Sequence, residues 1–224
     1  WKNVDKTILL FILSFFIAGL FFSLVSTSLI ASDRLNTNSY YFFLKHLAFI
    51  VMGLLVMFVF SLIKENYLLT ISMLLFAISL FLLMLIPFIG AEVKGSRRWL
   101  DLPFLPRFQP VEIIKPFYIV ILSALLNNPK YNLYFKYLLT LFLIIPIILL
   151  LASQPDIGQS ILIIVTWLTL IFISGINLVI FFGLFGIFIS ILSYLIFFVE
   201  KFNYIKIRIF SFFDDTSKNN FQSE

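Results

Sequence analysis

The residues best suited to chemistry are concentrated in one charged stretch, residues 91–115, which holds five Lys or Arg and three acidic side chains. Arg97 and Arg98 place two guanidinium groups beside Trp99. The planar fork of Arg suits phosphate oxygens, and Trp is typical of the membrane–water interface. The stretch therefore predicts a site for a phosphate-bearing lipid or substrate. The alternative is a basic surface loop that binds anionic lipid non-specifically.

The end of this stretch predicts the first turn of a helix. Pro110 suits that position, and Glu112 and Lys115 lie three residues apart, so that their side chains can pair. Lys115 precedes an apolar run and would lie about one turn inside a membrane, where ionisable groups usually line a cavity or a substrate path. A structural salt bridge at the mouth of the helix is an equally good interpretation.

A second polar constellation, residues 153–160, interrupts the apolar second half of the chain. Asp156 can cap a helix that begins at the next residue, which accounts for its presence without any further function. A cap does not account for Gln154 and Gln159, which flank it. His46 is interpreted as a structural or surface residue, since a ligand or proton shuttle needs partners.

Several classes of site are excluded. With no Cys, the chain can form no disulfide, thiol nucleophile or Cys-ligated metal centre. A single His excludes a His-cluster metal site, and the sequence contains no phosphate-binding loop, dinucleotide-binding glycine pattern, zinc-protease motif or nucleophile elbow. We predict no cofactor, although a divalent cation is compatible with the chemistry. The net charge of +5 is too thinly spread to indicate nucleic acid.

Membrane helices must position these groups. Of the 224 residues 62% are hydrophobic and 12% charged, and the mean hydropathy is +1.09, whereas soluble domains average roughly 45–50% apolar and 25% charged residues. About 20 apolar residues span a bilayer, and the turn-forming residues 174–177 divide the charge-free run 157–199 into two spans. We predict an all-α polytopic membrane protein in which residues 1–224 form one domain with seven transmembrane helices, at approximately 7–31, 41–63, 67–90, 110–128, 134–153, 157–174 and 177–199.

The charge distribution alone does not settle the orientation of these helices. With the N-terminus inside, the inner loops carry five of the sixteen Lys and Arg, namely Lys2, Lys6, Lys64, Lys130 and Lys136. The positive-inside rule would invert this arrangement. Five of the other eleven basic residues lie in residues 91–115, where function can retain them, so we give the charge count little weight.

Three ordered motifs resemble the signatures of the SEDS (FtsW/RodA) family. They are Val93–Leu102 with its continuation through Arg107–Glu112 to Lys115, then Gln154–Gln159, and finally Arg208–Asp215. The resemblance covers essentially the whole chain. The stretch from Ser23 to His46 is most similar to the division (FtsW) branch, with the elongation (RodA) branch as the alternative. Two departures are Val111, where the family usually has Ser, and the segment 103–106, which is one residue longer than the common spacing.

The resemblance implies a fold of about ten helices with an inside N-terminus, in the bacterial cytoplasmic membrane at the division septum. The implied activity is that of a peptidoglycan glycosyltransferase, which polymerises lipid II, a disaccharide-peptide carried on undecaprenyl pyrophosphate. A lipid II flippase, an elongation polymerase and a scaffold for partner proteins are the alternatives. The implied partners are membrane lipid, a class B penicillin-binding protein transpeptidase and other division proteins, but not nucleic acid.

The chain begins at Trp1 and stops within a polar run, so we expect it to be a segment of a longer protein. The resemblance places the main catalytic Asp beyond residue 224, and the segment alone is then expected to be inactive, with Asp156 in a supporting catalytic role. The predicted substrate-binding residues are Lys94, Arg97, Arg98, Arg107, Gln109, Glu112, Lys115 and Gln154. No metal site is predicted.

Overall fold

The computed structural model describes residues 5–27, 40–93, 96–101, 106–199 and 202–213, with the side chains of residues 26, 27, 208, 209, 212 and 213 excepted. The chain divides into two compact units, residues 1–65 and 66–224, and each is described by itself. Of the predicted motifs and spans, residues 28–39, Lys94, Gly95, residues 102–105 and residues 214–215 lie outside the described residues.

Helices dominate both units. The first unit contains α1 (Lys6–Phe22), which continues as a π-helical turn (Ser23–Thr27), and α2 (Tyr41–Ser61); α3 (Glu65–Ile89) begins at the boundary. The second unit continues with β1 (Ala91–Val93), β2 (Ser96–Trp99), α4 (Pro110–Asn127), α5 (Leu133–Ser153), α6 (Ile157–Ile173), α7 (Leu178–Phe198) and α8 (Asn203–Phe213).

The predicted all-α polytopic architecture is confirmed. Each of the seven predicted spans overlaps one of the helices α1 to α7, and six of these are long and apolar enough to cross a membrane. Together with part of its π-helical turn, α1 gives a span of 20 residues, Lys6–Val25. The exception by length is α6, with 17 residues, or about 25 Å at 1.5 Å per residue. That length lies at the short end of the spanning range. The chain is therefore a multi-pass membrane protein.

Two elements were not predicted from the sequence. Strands β1 and β2 form an antiparallel hairpin, and beyond it Leu100 and Phe108 form an isolated antiparallel bridge. Strands of three or four residues that carry charged side chains have no apolar alternation to reveal them. The helix α8 follows the last predicted span, and at 11 residues it is too short to span a membrane.

Short polar side chains start most of the membrane helices. Asp5, Asn132, Asp156 and Asn177 each accept a hydrogen bond from a backbone N–H in the first turn of α1, α5, α6 and α7, respectively. Such caps satisfy amide groups that have no partner within the helix. The predicted break after α6 is also present, where Gly175 has a φ of 89°, a conformation that favours glycine.

The central helix of the second unit is α6. Seven of its residues are buried, at the three- and four-residue spacing of one wide face: Ile157, Ser160, Ile163, Ile164, Trp167, Leu168 and Ile171. This face packs against α4 and α5. By contrast, α7 is apolar all round and has no buried residue among its described positions, as expected of a helix that faces lipid. The short, buried α6 thus packs among its neighbours along most of its length, and Asp156, Gln159 and Ser160 give its N-terminal end a polar character.

Side-chain contacts show which loops of the second unit lie on the same side. Arg98 of β2 donates to the carbonyl oxygen of Pro155 in the α5–α6 turn, and the hydroxyl of Tyr204 in α8 donates to the same oxygen. The hairpin, this turn and α8 therefore meet on one side, here called the hairpin side. Lys136 donates to the carbonyl of Leu126, which closes the α4–α5 connection on the opposite side.

Candidate functional site

Arg98 connects the hairpin to the turn between α5 and α6. Its Nη2 lies 2.7 Å from the carbonyl oxygen of Pro155, and its Nε lies 3.4 Å from that of Gln154. The same Nε is 3.7 Å from Oδ2 of Asp156. One planar guanidinium group thus contacts three consecutive residues, a geometry that Lys cannot reproduce.

Asp156 has two partners rather than one. Its Oδ1 accepts from the backbone N–H of Gln159 at 3.4 Å and caps α6, as predicted. Its Oδ2 faces Arg98, and the residue is only 6% exposed. A carboxylate this buried needs a nearby cation to offset the loss of its hydration. The cap and the ion pair therefore coexist in one side chain.

A second cluster links α4 to α6. Nζ of Lys115 lies 2.6 Å from Oε2 of Glu112 and 3.2 Å from Oε1 of Gln159. Nε2 of Gln159 lies 2.7 Å from Oε1 of Glu112, which closes a ring of three side chains. The predicted pairing of Glu112 with Lys115 is present. Because Gln159 also donates its backbone N–H to Asp156, the two clusters adjoin on the first turn of α6.

The other predicted site residues are distributed around these clusters. Arg97 pairs with Glu92 at 3.6 Å and donates to the carbonyl of Pro87. Arg107 donates to the carboxylate of Asp101 through both Nε and Nη2. Gln109 is the half-buried residue that precedes α4, and its side chain makes no capping bond. Gln154 is buried and donates to the carbonyl of Leu83 in α3.

The predicted cations are balanced by carboxylates. Among the described residues, each of the four predicted basic site residues is paired with one acid, in the pairs Arg97–Glu92, Arg98–Asp156, Arg107–Asp101 and Lys115–Glu112. The Arg97 and Arg107 side chains are about half exposed, so their pairs contribute little and can rearrange. Arg98 and Lys115 are more buried. An incoming phosphate could therefore recruit Arg97 and Arg107 most easily.

Two residues of the site were not among the predicted binding residues. Gln159 joins both clusters, and its unusual polarity in an apolar chain predicts no specific partner. Tyr204 shares the Pro155 carbonyl with Arg98, and no local pattern in the sequence indicates that contact. No group of three or more His, Asp or Glu side chains within the described ranges is arranged to hold a metal ion.

We expect Arg98→Lys to lower the melting temperature, Tm, of the intact protein more than Arg97→Lys does. Arg98 has 27% of its side chain exposed and donates to two carbonyls from two different nitrogens. A single Lys Nζ cannot occupy both positions, so Arg98→Lys loses at least one of these bonds, and a bond from a charged donor is worth about 1.5–3 kcal/mol. Arg97 has 52% exposed, and exposed ion pairs contribute about 0–1 kcal/mol. Thermal unfolding of the two purified variants in the same detergent measures the difference. Equal losses of Tm would contradict the conclusion that Arg98 holds the hairpin to the turn between α5 and α6.

A family model that covers FtsW, RodA and SpoVE, described as cell cycle proteins, matches residues 5–223. The chain is 32% identical over 181 residues to a probable peptidoglycan glycosyltransferase FtsW of Coxiella burnetii, an alignment that covers 79% of this chain and 48% of that protein. It is 36% identical over 129 residues to the peptidoglycan glycosyltransferase MrdB of Escherichia coli K12, covering 57% of this chain and 35% of that one.

Solved structures agree with the sequence matches. The rod shape determining protein RodA of Thermus thermophilus superposes with a TM-score of 0.57 and 26% identity over 75% of this chain and 58% of its own. A chain of a peptidoglycan synthase complex gives a TM-score of 0.65 at 24% identity over 91% of this chain and 62% of its own, which supports the fold. The chain spans about half the length of the FtsW relatives it matches. With a family match over nearly all of its residues, the chain belongs to the FtsW/RodA/SpoVE, or SEDS, family and is FtsW-like within it.

Proposed function

We propose that this chain is part of a peptidoglycan glycosyltransferase that polymerises lipid II during septal cell-wall synthesis. The observation that carries the proposal is the match to the FtsW/RodA/SpoVE family over residues 5–223. Relatives at about 30% identity are named as probable peptidoglycan glycosyltransferases of the FtsW type. The cation-bearing site on the hairpin side supports the same function, because the reaction expels a pyrophosphate.

The proposed reaction joins two sugars. The 4-hydroxyl group of one lipid II sugar attacks the anomeric carbon of another, the hydroxyl proton passes to a base, and the bond to the lipid pyrophosphate breaks. Catalysis needs that base and needs cations where negative charge develops on the leaving group. By resemblance the base is an Asp that follows residue 224, so the residues of this chain serve the leaving group and the position of the substrate.

The contacts in the site suggest separate roles for its residues. Arg97 and Arg107 are exposed and in weak pairs, so we assign them, with Lys94, to the pyrophosphate oxygens. Lys115 is held by Glu112 and Gln159 and would contact the pyrophosphate from α4. Asp156 fixes Arg98 and the end of α6, which is a supporting role. Gln109, with no capping bond, remains available to a substrate hydroxyl.

A lipid II flippase is the second candidate function, because the same paired cations could accompany a pyrophosphate across the membrane. An assay of the intact protein with fluorescent lipid II distinguishes the two. Polymerisation in detergent to glycan chains supports the glycosyltransferase. Transfer of labelled lipid II between the leaflets of vesicles, without polymerisation, would support the flippase instead.

We also propose that the protein acts with a class B penicillin-binding protein at the division septum. A related chain comes from a peptidoglycan synthase complex that coordinates polymerisation and crosslinking. An elongation role, with a RodA-like distribution along the cell wall, is the alternative, since RodA and MrdB are also similar to this chain. Fluorescent fusions of the intact protein distinguish septal from lateral localisation.

We expect a cysteine at Ser96 to react with an impermeant thiol reagent from outside the cell. The proposed orientation places the hairpin on the outer face, where lipid II is polymerised, and the chain has no native Cys. A cysteine at Lys130, in the connection between α4 and α5 on the opposite side, should react only after the membrane is permeabilised. If Lys130→Cys reacted from outside and Ser96→Cys only after permeabilisation, the protein would have the opposite orientation, which is the one that the positive-inside rule predicts.

A further inference from the structure

Pro87 deprives a buried carbonyl of its usual helical partner. It lies inside α3 and, because proline has no N–H, it cannot donate to the carbonyl of Leu83 four residues earlier. Leu83 is fully buried. A buried carbonyl without a partner is costly, and more so in a membrane protein, where the hydrocarbon supplies no water. The carbonyl of Leu83 therefore needs a donor from outside its own helix.

Gln154 supplies that donor from the turn between α5 and α6. Its Nε2 lies 3.3 Å from the carbonyl oxygen of Leu83, although the two residues are 71 positions apart in the chain. Gln154 is only 4% exposed. A buried amide is tolerated in an apolar interior when it is hydrogen-bonded, and the carbonyl freed by Pro87 is the acceptor that it meets.

The same turn carries Asp156, which follows Gln154 by two residues. The backbone carbonyl of Gln154 accepts from Arg98, and the backbone N–H of Asp156 donates to the carbonyl of Leu151 at the end of α5. Two contacts thus hold the turn in place. The side chain of Arg98 in the hairpin binds backbone carbonyls of the turn, and the side chain of Gln154 binds α3. Loss of the second contact would free the turn to move relative to α3.

We propose that Gln154 is a positioning residue. Its side-chain amide donates the hydrogen bond that the carbonyl of Leu83 cannot receive from Pro87, and this bond fixes the turn that carries Asp156 against α3. This assignment replaces direct substrate binding as the role of its side chain, since the amide is buried and faces Leu83. The effect on turnover rests on the proposed glycosyltransferase function, whereas the bond between Gln154 and α3 does not.

A double-mutant cycle on the intact protein tests the bond. Gln154→Leu should lower the Tm in the parent protein, because the carbonyl of Leu83 loses its donor. In a Pro87→Ala background the new N–H of residue 87 can donate to that carbonyl, so Gln154→Leu should lower the Tm by less than half as much. Pro116→Ala is the matched control background, because Pro116 also lies inside a helix but is exposed and distant in sequence from Leu83. Equal losses in all three backgrounds would overturn the proposal.

Hydrogen exchange tests the positioning without reference to activity. In Gln154→Leu, peptides that cover residues 151–160 should exchange faster than in the parent, while peptides that cover residues 128–136 on the opposite side should not change. Gln154→Met keeps about the length of the side chain but has no hydrogen-bond donor, so it should give the same pattern. Unchanged exchange of residues 151–160 in both variants would contradict a positioning role.

Turnover of fluorescent lipid II, measured well below the Tm and expressed per folded molecule, completes the test. We expect Gln154→Leu to lower kcat by about tenfold or more with KM nearly unchanged, since a displacement of roughly 1 Å can cost up to about 100-fold in rate. If Gln154→Leu had a parent-like kcat while its loss of Tm was smaller in the Pro87→Ala background, Gln154 would have a purely structural role. A parent protein that does not polymerise lipid II would refute the proposed function, and the cycle and the exchange pattern would still decide the role of Gln154.

Discussion

Asp156→Asn in the intact protein should fold and reach the membrane, yet lose lipid II polymerisation by about 100-fold or more. Asn and Asp are about equal as helix caps, so the bond to the backbone of Gln159 can be kept. The negative charge that faces Arg98 at 3.7 Å is lost. We expect the hairpin that carries Arg98 then to shift relative to the turn between α5 and α6, and with it the cations that hold the pyrophosphate. Such displacements of about 1 Å can cost roughly 100-fold in rate.

Asp5→Asn is the matched control for this prediction. Asp5 caps α1 through bonds to Thr7 and Ile8, is exposed, and belongs to no part of the candidate site. If capping were all that an Asp contributes, both variants would behave alike, with small changes in Tm and normal chain synthesis. Glycan-chain assays and thermal unfolding on the same samples separate the outcomes. Normal polymerisation by Asp156→Asn would leave this residue with a capping role only.

Local patterns in the sequence were sufficient to predict the membrane helices. Apolar runs about 20 residues long are set by bilayer thickness, so each predicted span overlaps a helix. The cap at Asp156 and the pair of Glu112 with Lys115 were also predictable, because both depend on spacing of three residues or fewer. Each of these features is decided by residues that are neighbours in the chain.

Contacts between distant segments were not predictable from spacing. The ion pair of Arg98 with Asp156 and the bond of Gln154 to Leu83 join elements that are far apart in sequence. A single sequence shows that these polar residues are unusual in an apolar chain, but not which partner satisfies each of them. Gln159 illustrates the limit, since its type indicated a role while its two partners, Glu112 and Lys115, became evident only from the packing of α4 on α6.

The charge of the site is also a property of the fold rather than of composition. Residues 91–115 have an excess of basic side chains, which suggests a strongly positive surface. In the described structure their cations face carboxylates one to one, and Asp156 completes the set from the start of α6. A balanced site of this kind holds its cations in place without substrate. We therefore expect the phosphate to replace a carboxylate as the partner of a site cation, since the described cations are already paired.

Lys115→Ala in the intact protein should lower lipid II turnover by about 10- to 100-fold. The loss of a charge-assisted contact costs about 1.5–3 kcal/mol, and Lys115, with 20% of its side chain exposed, lies in a partly desolvated position. Instability should explain little of the effect, because Gln159 and Glu112 still bond to each other at 2.7 Å and keep α4 tied to α6. Lys130→Ala, on the opposite side of the second unit, is the control for the loss of one positive charge.

Lys115 can act in two ways: by contact with the pyrophosphate itself, or only by neutralising Glu112. Removal of Lys115 leaves the Glu112 carboxylate unpaired, and that charge would repel an anionic substrate. The double variant Lys115→Ala with Glu112→Gln removes both charges and separates the two effects. Direct contact predicts that the double variant stays as impaired as Lys115→Ala, because the cation is still missing from the leaving group. Recovery to parent-like turnover would show that Lys115 acts only by neutralising Glu112, and well-folded Lys115→Ala protein with normal turnover would exclude both roles.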